Sequence, residues 1–460
     1  MKRPDTRRRG PRKSGARKGS ANAGKASANA GKASASVDGL TIERMGAEGD
    51  GLARSGAGES VAVPFSLPGE RVEASVAGRT GTLLSVAERS PERREPVCVH
   101  HGRPGEEPAC GACALQHWEP AAYETWKRGL LVAALVRSGV EAAVDPLVPC
   151  PPASRRRLVL SARRTEGGVL IGFNAARSER VVDMRECPVA APAIVSALPH
   201  LRIMLGRMLP PGGRARVSVL AAENGLDVRV DADGELAPVP PPPAVTRLSL
   251  GDETVHEREA PRLTFGDVPV TPPPGAFVQA VEAAERAMAD LVTGHLAGCR
   301  SVADLFAGSG TFALRLARFA SVHAVEGEAA PLAALDRAWR NGSRLRAVTT
   351  ERRDLYRRPL PTTELTGRDR PRGGRGGGRG GAARFDGLVL DPPRAGAERQ
   401  VREIAGSGIP RIAAVSCNPL TLARDLRILV DGGYRVDRVV PVDQFAFTAH
   451  LEAVALLTLG

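Results

Sequence analysis

Aromatic residues are scarce in this chain: Phe, Tyr and Trp make up only 3% of its 460 residues. Its cores must therefore be built chiefly from Ala, Val and Leu, within a hydrophobic fraction of 42% that is ordinary for a globular protein. Long apolar runs are missing as well. The stretch LLVAALV at 130–136 falls far short of the roughly 18 residues that cross a bilayer, so no membrane span is expected. No hydrophobic stretch follows the charged N-terminus, which argues against a secretory signal. An Arg- and Ser-rich, acid-poor start does also occur in organellar transit peptides. Cysteine is sparse too, with seven residues, three of them clustered. That pattern disfavours a disulfide framework and favours metal binding or catalysis in a reducing cytoplasm.

Acidic residues are nearly absent from two stretches. Residues 1–36 hold eleven Lys or Arg against one Asp, and residues 361–384 hold six Arg against one Glu and one Asp. These segments account for the whole formal charge of +13, and the rest of the chain is close to neutral. Basic segments of this kind can engage a phosphate backbone through counterion release without reading any base, or simply aid solubility.

The length suggests two or three domains. Residues 1–38 read as a disordered basic tail: SANAGKA occurs twice in tandem (20–26 and 27–33), and such short side chains cannot offset chain entropy. From 39 to 93, short apolar stretches alternate with Gly-rich turns, as in SVAVPFSLPGE, where Val61, Val63 and Phe65 suit a half-buried strand. This predicts a small β-barrel, either an oligonucleotide-binding module or a structural one. Residues 94–265 predict a central α+β domain, with a helix at 121–138, strands at RLVLSARR and VLIGFN, and a Pro-rich connection through Pro238 and Pro240 to Pro243. From 266 to 460 the pattern becomes regular. SVADLFAG, SVHAVEG, AVTTERRD, FDGLVLD and RIAAVSC read as buried parallel strands, mostly separated by helices, and YRVDRVVPVD and HLEAVALLTL as an antiparallel pair at one edge. The fold class is thus α/β, a Rossmann-like doubly wound sheet, interrupted at 361–384 by a flexible Gly/Arg insert.

Four motifs carry chemistry. DLFAGSGTFAL (304–314) leaves a buried strand, turns at Gly308 and Gly310, and enters a helix, so that a ligand can approach the backbone. The following strand ends in Glu326, placed to accept hydrogen bonds from ribose hydroxyls. FDGLVLDPPRAG (385–396) puts Asp391 at a strand end before two stiffening prolines, and resembles the Asp-Pro-Pro loops of methyltransferases that act on nucleic-acid bases. RIAAVSCNP (411–419) puts Cys417 at the tip of the next strand, on the same edge. A thiolate adding to C6 of a uracil makes C5 electron-rich enough to accept a methyl group. That role requires a depressed thiol pKa. The proton left on C5 needs a base, and Glu452 in TAHLEAV is the candidate. Finally, Cys98, Cys110, Cys113 and Cys187 have the makings of a four-thiolate site for zinc or an iron–sulfur cluster; spacing alone favours zinc.

Together these motifs resemble the bacterial RNA uracil-5-methyltransferases, in particular the branch acting on 23S ribosomal RNA, over residues 39–459 apart from the insert. GDGLAR followed by VPFSLPGE looks like that family's RNA-binding TRAM barrel, and CGACALQHW (110–118) resembles its Cys-Gly-Gly-Cys-x-Leu-Gln-His signature. The resemblance implies S-adenosylmethionine contacts by Gln279 (in GAFVQA), Phe306, Glu326 and Asp391. It also implies Cys417 as nucleophile and Glu452 as base. The cysteines become ligands of a [4Fe-4S] cluster, in place of zinc, and the transfer-RNA branch lacks that cluster. Base flipping of the target, a monomeric enzyme and a cytoplasmic location go with it. The sequence departs from the family pattern in three places: an insertion between Cys98 and Cys110, Ala280 where Asn is usual, and Ala446-Phe447 where Pro-His is usual. Transfer RNA as substrate, or a non-catalytic RNA-binding assembly factor on the same fold, are the competing readings.

Overall fold

The computed structural model describes residues 35–102, 110–237, 239–367 and 384–460. The tandem repeat, Pro238, most of the tail and most of the Gly/Arg insert lie outside these residues. Strands β1 (Ala35–Met45), β2 (Gly51–Arg54), β3 (Ser60–Val63), β4 (Arg71–Ala77) and β5 (Thr80–Glu88) close into a barrel in the order β1-β2-β3-β5-β4. Alternation decides its inside: Leu40, Ile42, Val61, Val63, Val72 and Ala74 form the core. Two expectations need correction here. β1 begins at Ala35, within the segment read as tail, because main-chain pairing with β4 (Ser36 opposite Ser75) does not depend on large side chains. Phe65 lies past the end of β3 at φ 64°, with its ring 5.1 Å from that of His101 instead of in the strand's alternation.

Next come α1 (Pro120–Arg137), β6 (Arg157–Thr165), β7 (Gly168–Gly172), α2 (Pro192–Met208), β8 (Arg214–Ala222), β9 (Gly225–Ala232), β10 (Val245–Leu250) and β11 (Glu253–Glu257). The six strands make one sheet, β11-β10-β9-β8-β6-β7, with α2 packed on its apolar face. Helix α1 behaves differently. Leu131, Ala134 and Leu135 join the core of the C-terminal sheet, and the chain after the helix lies along that sheet's edge, Val144 beside Val439 and Val148 beside Val442. A hairpin, β12 (Leu263–Phe265) and β13 (Val268–Val270), leads into the last unit.

That unit contains α3 (Glu282–His295), β14 (Ser301–Leu305), α4 (Ala313–Leu316), β15 (Ser321–Glu326), α5 (Ala329–Asn341), β16 (Val348–Arg352), α6 (Thr362–Thr366), β17 (Gly387–Leu390), α7 (Glu398–Ala405), β18 (Arg411–Ser416), α8 (Pro419–Asp431), β19 (Tyr434–Val442) and β20 (Glu452–Leu459). Its sheet runs β16-β15-β14-β17-β18-β20-β19; the first five strands are parallel, and β20 pairs antiparallel with both β18 and β19. Central strands such as GLVL are buried at every position, as expected where helices cover both faces. Here too the insert is narrower than its composition suggests. Helix α6 falls inside 361–384 because Leu365 is buried in the core and the Thr362 amide donates to Glu403 at 2.8 Å. Among the described residues no helix is long and apolar enough to cross a membrane.

Candidate active site and cysteine centre

The strand ends of β14, β15, β17 and β18 share one edge of the sheet, where doubly wound folds bind ligands. A cleft of about 600 Å³ opens there, and Gln279, Phe306, Glu326, Asp391, Cys417 and Glu452 all line it. Every active-site and cofactor residue singled out from the sequence thus meets in one place.

One half is a cradle. After β14 the chain turns through Phe306 at φ 63°, a left-handed conformation uncommon for a bulky residue, with its ring 5.6 Å from that of Tyr356. Gly308 follows at φ 54°, and a Cβ placed on it would meet no atom within 4 Å, so its backbone borders open space. Its N–H donates to Glu326 Oε2 at 2.9 Å, and the Glu328 N–H to Oε1 at 2.8 Å. Each carboxylate oxygen keeps a further lone pair for a ligand hydroxyl. Beneath the turn, Asp304 is fully buried, and burial pushes its carboxyl well above the usual range, aided by the nearby Asp391. The Ala313 main-chain N–H opposes the shift. An open Gly turn and a ribose-competent carboxylate suit a cofactor with hydroxyls.

The other half is reactive. Cys417 lies between the end of β18 and the start of α8, which Asn418 caps by accepting from the Leu420 N–H at 3.0 Å and Pro419 opens. The Asn418 amide also donates to the Arg394 carbonyl at 3.1 Å, tying the Cys417 turn to the Asp-Pro-Pro-Arg loop. Burial pushes the Cys417 thiol up to about 11; Glu452 and Asp391 push the same way, while Arg394 opposes them. The depressed pKa expected from its proposed chemistry is therefore absent in the free protein. Partial burial and two acids outweigh one exposed guanidinium. Burial likewise pushes Asp391 up to about 7, and Glu452, 2% exposed, well above its ordinary value.

A hydrogen-bonded line joins these acids. Gln279 Nε2 donates to Asp391 Oδ2 at 3.1 Å, while Gln444 Nε2 donates to Gln279 Oε1 at 2.8 Å and to Glu452 Oε1 at 3.1 Å. The Val281 N–H closes the set on Gln444 Oε1 at 3.2 Å. Arginines preceding β6 and at its start hold the Gln279 segment in place: Arg156 Nε donates to the Gln279 carbonyl at 3.2 Å and Arg157 Nε to that of Val278 at 2.9 Å. The loop before β20 is anchored from below. Lys127, 0% exposed, donates to Asp443 Oδ1 at 2.5 Å, to Tyr123 Oη at 2.8 Å and to the Phe445 carbonyl at 2.9 Å. Sequence reasoning missed Gln444, Arg394 and this lysine. Arg394 stands inside a recognised motif and Gln444 directly after the strand ending at Asp443, whereas nothing in the sequence pairs Lys127 with a position more than 300 residues away.

The four cysteines also meet. Cys98, Cys110, Cys113 and Cys187 line one small cavity, so the longer spacing between the first two does not remove Cys98 from the group. Burial pushes Cys110 up to about 11 and Cys113 up to about 12, and raises Cys98. Such thiols are neutral unless a bound cationic group ionises them. Among the described residues no three His, Cys, Asp or Glu side chains lie close enough to hold a single metal ion. Four thiols on one cavity wall are the donor chemistry of thiolate-held metal groups. This centre touches the active site: the Ala114 and Leu115 N–H groups donate to the Phe447 carbonyl at 2.9 and 3.1 Å, in the loop that leads to Glu452. Phe447 itself stands at φ 61°.

Comparison with known proteins gives a consistent picture. A family model described as tRNA (uracil-5-)-methyltransferase matches residues 381–459. A protein of Mesorhizobium japonicum named as an RNA methyltransferase is 48% identical over 426 residues, covering 91% of this chain and 97% of that one. The 23S rRNA (uracil-C5)-methyltransferase RlmD of Halomonas elongata is 33% identical over 464 residues, covering 91% of this chain and 89% of its own length. Among solved structures, the Pyrococcus abyssi tRNA (uracil-54, C5)-methyltransferase in complex with S-adenosyl-L-homocysteine superposes with a TM-score of 0.67 at 22% identity. That match covers 91% of this chain and 99% of the other, and shows a shared fold.

Proposed function

Because this chain belongs to the RNA uracil-5-methyltransferase family and is an S-adenosylmethionine-dependent RNA (uracil-C5)-methyltransferase, we propose that it modifies 23S ribosomal RNA through a transient bond from Cys417 to uracil C6. One observation carries the mechanism: Cys417 and Glu452 line the same cleft as the cofactor cradle. S-adenosylmethionine supplies an electrophilic methyl on a sulfonium. Gln279, Phe306, Glu326 and Asp391 bind and orient it. The Cys417 Sγ–H gives up its proton to water as Sγ bonds to C6, the C5=C6 electrons move toward O4, and C5 then takes the methyl as the methyl–sulfonium bond breaks and its pair stays on that sulfur. After methylation Glu452 takes the C5 proton, C5=C6 re-forms and Sγ leaves.

Residues 39–93, with the start of β1 from Ala35, are assigned as the TRAM-like barrel, 94–265 as the central domain and 266–460 as the methyltransferase domain. Cys98, Cys110, Cys113 and Cys187 would hold a [4Fe-4S] cluster, which there supplies charge and cross-linking to the fold. Ribosomal RNA is favoured by the Halomonas elongata relative and by the four converging cysteines. Transfer RNA is the second reading, favoured by the name of the matching family model.

The test uses both RNAs carrying 5-fluorouridine, whose fluorine cannot leave as a proton and so traps the enzyme. The expected result is a denaturant-resistant adduct with 23S RNA and S-adenosylmethionine, lost in Cys417→Ala. An adduct that survives this substitution refutes the mechanism; trapping on transfer RNA alone refutes the substrate.

A further inference from the structure

We propose that Gln444 is the residue that positions Glu452 for the release step, and that it does so by fixing one hydrogen-bond direction through the whole cleft wall. The proposal rests on the reaction proposed above, and concerns a residue that the family motifs leave without a role.

The argument is one of amide arithmetic. A glutamine side chain has two N–H donors and one carbonyl acceptor. At Gln444, 2% exposed, all three functions are used: Nε2 serves Glu452 Oε1 and Gln279 Oε1, and Oε1 receives the Val281 N–H. The main-chain donor from Val281 cannot be reversed, so it fixes which end of the Gln444 amide faces it. The other end must then point both N–H groups at its two neighbours. Gln279 inherits its orientation: its carbonyl accepts from Gln444, so its own N–H faces Asp391 at 3.1 Å. The sequence Val281, Gln444, Gln279, Asp391 is thus a line in which every donor points one way, with Glu452 as a branch.

For Glu452 the consequence is specific. Among the described residues, Gln444 provides the only side-chain hydrogen bond to its carboxyl. A donor favours the ionised carboxylate, which is the form able to accept a proton, against a burial that favours the neutral acid. In the release step the C5–H bond breaks, its proton goes to Glu452 and its electron pair forms C5=C6. The Sγ–C6 bond breaks and its pair returns to sulfur. Addition and methyl transfer need no base at C5, so loss of Gln444 should slow release most, while the freed Gln279 side chain is read separately as a raised KM for S-adenosylmethionine.

The experiment compares wild type, Gln444→Met and Gln444→Glu on ordinary uridine RNA with S-adenosylmethionine. Methionine keeps the length and removes the donors. Glutamate keeps the shape and sets another acid beside Glu452, so it acts in the same direction should the methionine variant fold poorly. The expected result is a kcat lowered at least tenfold, up to the roughly 10²–10⁴-fold that a positioned acid or base contributes. A methylated, denaturant-resistant enzyme–RNA adduct should accumulate at steady state, and the acid limb of the kcat profile should move to higher pH. Unchanged turnover and adduct level in both variants overturn the proposal. So does a loss of turnover without adduct in folded protein, the result of a merely structural role. If wild type forms no adduct on 5-fluorouridine RNA, the parent reaction is what has failed.

Discussion

Cys417 should be a sluggish nucleophile in the free protein, and by an amount that can be worked out. With the thiol pushed up to about 11, only roughly one molecule in 3,000 holds a thiolate at pH 7.5, against roughly one in ten for an ordinary cysteine near 8.5. The more basic thiolate is intrinsically more reactive, by roughly 15-fold for this difference at a Brønsted slope near 0.45. Alkylation by iodoacetamide should therefore run about 20-fold slower than on an exposed model thiol at pH 7.5. Its logarithm should climb with unit slope to beyond pH 10, since a raised pKa leaves the thiol neutral until that pH. Peptide mass spectrometry on the 411–419 segment reads the rate for this one residue. Arg394→Ala should slow it further, because the opposing cation is gone. Asp391→Asn should speed it, most clearly above pH 7, where Asp391 carries its charge. A rate that levels off below pH 8 would refute the reasoning: the thiolate would then already exist without substrate, and burial and neighbouring acids would not govern it.

Anaerobically purified protein should be brown, with about four iron and four sulfide per chain, and Cys113→Ser should lose both. Colourless protein containing one zinc would overturn the cluster assignment. Lys127→Ala should destabilise the fold by about 3–5 kcal/mol, since it leaves Asp443 buried beside Tyr123 without its cation. Urea denaturation measures this, and a loss below 1 kcal/mol would show that water or a local shift satisfies the acid.

The strands of the C-terminal sheet were legible because a parallel sheet covered on both faces needs continuous apolar runs, and SVADL, GLVL and IAAVS are such runs. The strand tips were legible for a related reason. Polar residues directly after such runs, Asp391 and Cys417 among them, must emerge together at one edge. What the sequence hides is whatever depends on distant pairing. Helix α1 reads as part of the central segment, yet its apolar stripe belongs to a sheet formed more than 150 residues later. The pKa of Cys417 was expected on the other side because reactivity argues for a thiolate, whereas burial, helped by two acids brought in by other strands, favours the neutral thiol.

The departures from the family pattern are visible in the sequence, but their consequences are not. Phe447 stands where a histidine is usual, yet what its position contributes is a main-chain carbonyl. That oxygen takes two N–H groups from the cysteine loop, while the residue's own N–H goes to Tyr123 Oη at 3.0 Å. A contact made by the backbone survives a change of side chain. The loop bearing Glu452 can therefore hold its place although two of its residues have changed. The same reasoning locates where it could not change: Asp443 and Gln444 act through their side chains, one toward Lys127 and the other toward Glu452, and a substitution at either would move Glu452.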